Sequence, residues 1–283
     1  MKNPKTIIGV GLLTFIVILA VIGPTIAKGL TGSENPLSIG GYRPYQLPTA
    51  ENLIGTDGDG RDGMAVFLSS IGPSLRIGVI AGVIATAIGV TLGFTAGYLG
   101  GKIDIFLRII IDMVLVFPIL PLMLTLALLI DRWNLDTLAI LLGLFGWAFV
   151  ARVIRPQVLS LRERSYVDLA VLSGQSTFKI IIFELLPGLL PYIGYSLSLS
   201  IVGAMLAEAG LQIIGIGAGS TPTLGLMIGK GIREGVIAVG LTGQMLLPAA
   251  MLILTFLSLN LINLSLDETY NPRLRRLVED KVS

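Results

Sequence analysis

The 283-residue sequence contains no cysteine and no histidine, and only 13% of its residues are charged. Without cysteine there is no disulfide and no thiol nucleophile. Without histidine there is no Ser-His triad and no imidazole-ligated metal. No catalytic residue and no metal site are expected. The net charge of +2 comes with no block of like charges, so nothing acts as a basic arm and nucleic acid is not an expected partner. A Gly-x4-Gly-Lys-Ser/Thr phosphate loop is also missing. The nearest string, Gly225 to Gly231, has neither its spacing nor its hydroxyl, so ATP hydrolysis by this chain is not expected.

What the sequence has in quantity is apolar surface. Hydrophobic residues make up 53% and the mean hydropathy is +0.86, far above a soluble domain. The expected fold class is an all-α polytopic membrane protein with six transmembrane helices. The first span runs from Thr6 to about Ala27 and reads as a retained anchor. Its apolar run exceeds the roughly 7–15 residues of a signal-peptide core, and it has no clean small-x-small cleavage site. A polar loop over residues 28–70 follows. A core of five further spans over 71–264 and a tail over 265–283 complete the division.

The second span, Ser74 to Leu99, carries Gly78 and Gly82, then Gly89, Gly93 and Gly97, each four residues apart. That spacing makes a ridge along which another helix can approach closely. The third, Ile105 to Leu129, contains Arg108, Asp112, Pro118 and Pro121. An acid in a membrane span requires a partner, so an Arg108–Asp112 pair or a gating role for Asp112 is expected. Both prolines are expected to bend or unwind the helix, marking a candidate path. The polar turn Asp131 to Asn134 leads to a fourth span, Leu138 to Val153. The fifth starts near Ile180 and reaches Glu208 and Gly210. Glu208 is either held structurally or is a gate or solute contact. A broken, partly polar linker to Glu234 and a last span, Ile237 to Leu264, follow.

Thirteen of the twenty lysines and arginines fall on the side of the two termini and seven on the other. The positive-inside rule then puts both termini in the cytoplasm. On that side lies Ser165 to Pro187, SYVDLAVLSGQSTFKIIIFELLP. Ser165 is expected to cap a helix whose buried side is Tyr166, Leu169, Ala170 and Leu172, with Asp168 in its first turns. Gly174 ends it, a second helix starts at Ser176 or Thr177, and Leu186-Pro187 opens the next span. A surface helix lying on lipid headgroups is the competing reading.

The first loop contains GTDGDGRD, Gly55 to Asp62. Gly58-x-Gly60-x-x-Gly63 matches a dinucleotide fingerprint only on paper, because no strand precedes it and the acids repel a pyrophosphate. Asp57-x-Asp59 begins like a calcium loop, but Arg61 takes the place of a third oxygen ligand. The stretch reads as a turn capping a helix that begins near Asp62, with Arg61 paired to a neighbouring carboxylate.

The spacing of the cytoplasmic segment resembles the EAA loop of ABC importer permeases. Asp168-Leu169-Ala170 stands for Glu-Ala-Ala, Gly174 for its glycine and Leu186-Pro187 for its Leu-Pro. Asp replaces Glu, Leu replaces the first Ala, and Glu184 stands where the pattern has an apolar residue or His. Thr56, Asp57, Gly60, Arg61 and Asp62 resemble the GTDxxGRD signature of the subfamily that moves dipeptides, oligopeptides, nickel or oligosaccharides. The AEAGLxxxGxG run from Ala207 to Gly217 is similar as well. Asn271-Pro272-Arg273-Leu274-Arg275 resembles the subfamily's DPRLR ending. Four signatures in order, over roughly the whole chain, identify it as a member of the second-permease (C-type) branch.

The resemblance implies a type I importer architecture in a prokaryotic plasma or inner membrane. The implied partners are a second homologous permease, two ATP-binding subunits that hold ATP and Mg, an extracellular solute-binding protein, and membrane lipid. No cofactor belongs to this chain. Residues 165–177 become the coupling helix, with Tyr166, Asp168, Leu169, Ala170 and Gly174 at the ATPase. Pro118, Pro121, Glu208 and Gly210 become path or gate candidates, and alternating access the mechanism. A self-contained secondary transporter lacks the internal repeats and paired membrane acids it needs, and an intramembrane enzyme lacks a nucleophile and base. The solute, peptide or oligosaccharide, stays open.

Overall fold

Glycine spacing on the second span decides how the helices pack. In the computed structural model, which describes residues 4–130, 134–217, 219 and 221–270, helix α1 covers Pro4–Thr31 and α2 covers Gly63–Leu99. Residues 131–133 of the expected polar turn, and the Asn271–Arg275 ending, lie outside the described residues. Helix α2 packs on α5, Leu135–Arg162, through Gly89, Gly93 and Gly97. A Cβ at Gly93 or at Gly97 would stand 2.8 Å from the carbonyl oxygen of Ala151 or of Arg155, closer than a side chain tolerates. On another face, Gly78 and Gly82 admit Ile201 and Met205 of α8, Leu186–Ile213. Each small residue lets two backbones approach, and dispersion then holds the pair where lipid supplies no hydrophobic drive.

The helix begins where the Asp- and Gly-rich turn implied, ahead of the apolar span expected from Ser74. Asp62 takes the N-cap of α2 and its carboxylate accepts from the Ala65 amide at 2.7 Å, so the first loop ends at residue 62. Helix α1 lies on α2 and on α10, Gly243–Tyr270, and otherwise presents apolar side chains outward.

The third span is broken. Helix α3, Gly101–Val116, and α4, Ile119–Leu129, meet at an angle of 78°. Pro118 is the cause. It forces Phe117 into an extended conformation (φ −69°, ψ 125°) and has no amide to donate back into the helix. Pro121, expected to contribute to the bend, instead sits in the first turn of α4, where an absent amide hydrogen leaves no helical bond unmade.

After α5 the chain forms α6, Ser165–Leu172, the short α7, Thr177–Lys179, and a π-helical turn, Ile180–Leu185, that runs into α8. Beyond α8 the expected linker contains a helix, α9 (Leu224–Glu234), capped by Thr223, whose hydroxyl accepts from the Leu226 amide at 2.9 Å. Gly235 and Gly240 then turn the backbone through positive φ (64° and 84°), so the last helix begins at Gly243, later than Ile237. Among the described residues there is no strand.

One end of the bundle brings α1, α8 and α10 together. The hydroxyls of Thr6 and Ser265 hydrogen-bond, joining the start of α1 to the end of α10. Near that end of α10, Asn263 and Leu266 lie against Gly194 in the first turns of α8. Both outer helices therefore reach the membrane face that carries α6.

Candidate functional site

Helix α6 is anchored from one side only. Val167 and Ala170 are buried against Ile180 and Leu185 of the following turn, and against Phe94, Tyr98 and Leu161 from the ends of α2 and α5. Arg162 closes the arrangement by donating to the Tyr98 carbonyl at 2.7 Å. The opposite side is open: Tyr166, Leu169, Val171 and Leu172 are exposed, Leu172 by 83% and Leu169 by 63%. This corrects the expected buried face. Of the four residues assigned to it only Ala170 is covered by the chain itself, because an eight-residue helix seated on one turn has a single contact face. Arg164, not Ser165, occupies the N-cap position, with no side-chain cap. Asp168 is exposed.

Gly174 terminates α6 at φ +73°. The Gln175 amide donates to the Ala170 carbonyl at 3.1 Å and the Gly174 amide to that of Val171 at 3.0 Å, a Schellman closure that needs a left-handed residue at position 174. A Cβ there would meet nothing, so conformation alone demands glycine. Phe178 and Phe183 extend the outward apolar surface.

At the other end the first loop folds over α9. The buried Thr56 hydroxyl donates to the Arg43 carbonyl at 2.6 Å and accepts from the Gln46 amide at 2.8 Å, which fixes the loop's return. Asp57 accepts from the Arg61 amide at 2.9 Å and faces the Arg61 guanidinium at 2.7 Å. Lys230, from α9, reaches Asp57 at 3.0 Å and Asp59 at 2.5 Å, with Glu234 at 3.6 Å. Burial pushes the Asp57 carboxyl up, but the bonds and charge of Arg61, joined by Lys230, outweigh it and hold the group below the carboxylate range. Gly60, at φ +70°, passes close to the Tyr42 carbonyl and leaves no room for a side chain. The cation from α9 was not legible in the sequence, since nothing local to Lys230 points 173 residues back.

Glu208 is 1% exposed. Its Oε1 accepts from the Thr223 hydroxyl at 2.6 Å and from Gln212 Nε2 at 3.0 Å, and Gly225 packs against it so tightly that a Cβ would fall 2.8 Å from its carboxyl carbon. The carboxylate thus joins α8 to α9. Gly210, two residues on, lies 3.9 Å from Leu120 of α4, measured from where its Cβ would be. Next to the break at Pro118, Ile119 closes one end of a groove of about 220 Å³ between α2, α5 and α8, whose α8 wall includes Leu199, Gly203 and Ala207.

The expected Arg108–Asp112 bridge is not formed. Both side chains are exposed on α3, and among the described residues Asp104 is the acid of this helix that is paired, bidentate to Arg155 of α5 at 2.5 and 2.6 Å. Arg155, from a packed neighbouring helix, meets Asp104 with both arms of its fork, whereas Arg108 and Asp112 lie on an exposed face where an i,i+4 pair contributes little.

Residues 89–276 match the family described as binding-protein-dependent transport system inner membrane component. The dipeptide transport system permease protein DppC of Bacillus subtilis is 31% identical over 97% of this chain and 84% of its own length. A putative peptide transport system permease protein of Brucella abortus is also 31% identical, over 97% and 90%. The oligopeptide transport system permease protein OppC of Mycobacterium bovis is 32% identical over 82% and 79%.

Proposed function

The chain belongs to the family of binding-protein-dependent transport system inner membrane components, as a multi-pass permease subunit of an ABC importer, and from that premise we propose that it forms half of a path for peptides. The observation that carries the coupling part of this reading is α6. An amphipathic helix held by Val167 and Ala170 offers Tyr166, Leu169 and Leu172 outward at the membrane face shared by the ends of α1 and α10. Such a surface suits a groove in a partner, and the charge bias of the loops puts it in the cytoplasm.

In this reading two ATP-binding subunits bind ATP and Mg, and the chain itself hydrolyses nothing. Their closure pushes on α6, and the movement passes through the π-helical turn to α8 and rocks the glycine-packed helices about one another. A second, homologous permease completes the path. An extracellular solute-binding protein rests on the surface made by the first loop and α9. Peptide is favoured over oligosaccharide as the solute because the similar permeases named above serve dipeptides, peptides and oligopeptides.

The docking assignment is tested by placing charge on the exposed face. Leu169→Asp with Leu172→Asp should leave this chain paired to the second permease but strip the ATP-binding subunits from the purified complex. Full retention of those subunits with normal transport would sink the assignment.

A further inference from the structure

Two ion pairs bracket the apolar length of α5. Near its start Asp136 meets Arg76 of α2 at 2.8 Å, and near its end Arg155 meets Asp104 of α3. Along the helix these pairs stand about 29 Å apart at 1.5 Å per residue, close to the roughly 30 Å of a hydrocarbon core. Asp112 falls inside that interval. It lies about 12 Å along α3 from Asp104, next to Ile111, which is buried against Ala148 and Ala151 of α5. Asp104 is committed to Arg155, and Glu208 to Thr223 and Gln212. Asp112, by contrast, is exposed, and among the described residues it has no hydrogen bond and no ion pair.

Lipid tails are no cover for such a surface, since a carboxylate at this depth costs about 3 kcal/mol or more. The backbone argues the same way. One turn beyond Asp112 the helix breaks at Phe117 and Pro118, with Val116 84% and Phe117 60% exposed. Among the described residues no amide crosses the break to the carbonyl of Leu115 or Val116, so α3 ends there on open acceptors and on the negative pole of its dipole. Open backbone at membrane depth is tolerated beside a water-filled cavity and not beside lipid. Asp112, Val116 and Phe117, with Ile109 and Met113, line one open hollow of about 600 Å³. A carboxylate and a helix C-terminus on one hollow attract a cation. The apolar side chains between them suit an organic ammonium rather than a metal ion, which would need six or more oxygen ligands.

We infer that Asp112 stands on the translocation path and receives the ammonium at the N-terminus of a peptide in transit. This rests on the peptide-permease reading above and adds to it the charged group of the solute that the path must accommodate. Every unmodified peptide carries that ammonium, whatever its side chains, so one acid serves peptides of any sequence.

The test uses the complete complex, with both permeases, the ATP-binding subunits and the solute-binding protein. Because the chain has no cysteine, Asp112→Cys places a single thiol on it. A membrane-impermeant cationic thiol reagent should modify this chain in the resting complex or during ATP turnover. No modification in either state would put position 112 against lipid or under the second permease and overturn the path assignment. In proteoliposomes, Asp112→Asn should lower uptake of labelled trialanine by about tenfold or more, the effect of losing one hydrogen bond between charged groups. Asp112→Glu, which keeps the charge, should recover most of that uptake. Equal loss in the two variants would make position 112 a constraint of shape and overturn the ammonium site. Wild-type uptake by Asp112→Asn overturns it too, and so does loss of the second permease from that variant, which would make Asp112 half of a subunit ion pair. A wild-type complex that moves maltotriose but no trialanine overturns the peptide reading itself, and the ammonium assignment with it.

Discussion

Tyr166 and Ala170 sit one turn apart on α6 and do opposite things. Ala170 is buried in the chain's own packing, where a larger side chain would lift the helix from Leu185, whereas Tyr166 is exposed and free to enter a partner. Tyr166→Ala should therefore leave the fold intact and remove interface contacts worth about 1–3 kcal/mol. Stimulated ATPase activity of the reconstituted complex should fall while basal activity survives. Unchanged stimulation with full incorporation of the mutant would leave Tyr166 as surface only. Gly174 works differently, through backbone conformation and with no contact at all, so any β-carbon there costs strain even before a partner arrives.

At the level of helices, the α2 glycines are packing elements rather than hinges. Gly93→Leu should drive α2 off Ala151 and destabilise the subunit by about 1–3 kcal/mol or more, read as a lower midpoint of thermal unfolding in detergent. The same substitution at Gly11, which no neighbour approaches, should leave the midpoint unchanged. A similar constraint governs Gly225, where a methyl group would displace Glu208 and part α9 from α8. Local chemistry made these features legible: four-residue glycine spacing reads as a close helix contact, and Pro118 reads as a break. The exposed side of α6 did not read correctly from periodicity, because an apolar face left open has the same spacing as one turned to the core. Helix α9 was missed because Gly225, Gly229 and Gly231 lower its helical propensity, while packing on α8 restores it. The Asp104–Arg155 pair was invisible for another reason. It crosses from one helix to another, and only the nearer Arg108–Asp112 spacing shows in one dimension.

Across the whole molecule, the first loop and α9 behave as a single cap on the end of the bundle opposite α6. Asp57 has a depressed folded-state pKa relative to its ordinary 3.8, so its ionised form stabilises the cap. That contribution is complete above 3.8, the unfolded value, and is lost as pH falls below it toward the lower folded one. Protease cleavage within residues 33–60 should proceed at equal rates at pH 7 and pH 5 and accelerate below about pH 4. Lys230→Met leaves Asp57 and Asp59 to Arg61 alone and Glu234 without its cation, so cleavage should already be faster at pH 7. Equal cleavage of mutant and wild type at pH 7 would show that the cap is held by other contacts.

The distance in sequence between Asp57 and Lys230 also bears on how the subunit is made. The loop leaves the ribosome 173 residues before the cation that closes it. At about 5–20 residues per second that interval is roughly 10–35 s. During it four membrane helices insert while the loop waits with its acids facing a single arginine. This cap is thus among the last parts of the subunit to mature, and a nascent chain halted before α9 should carry its loop open to added protease.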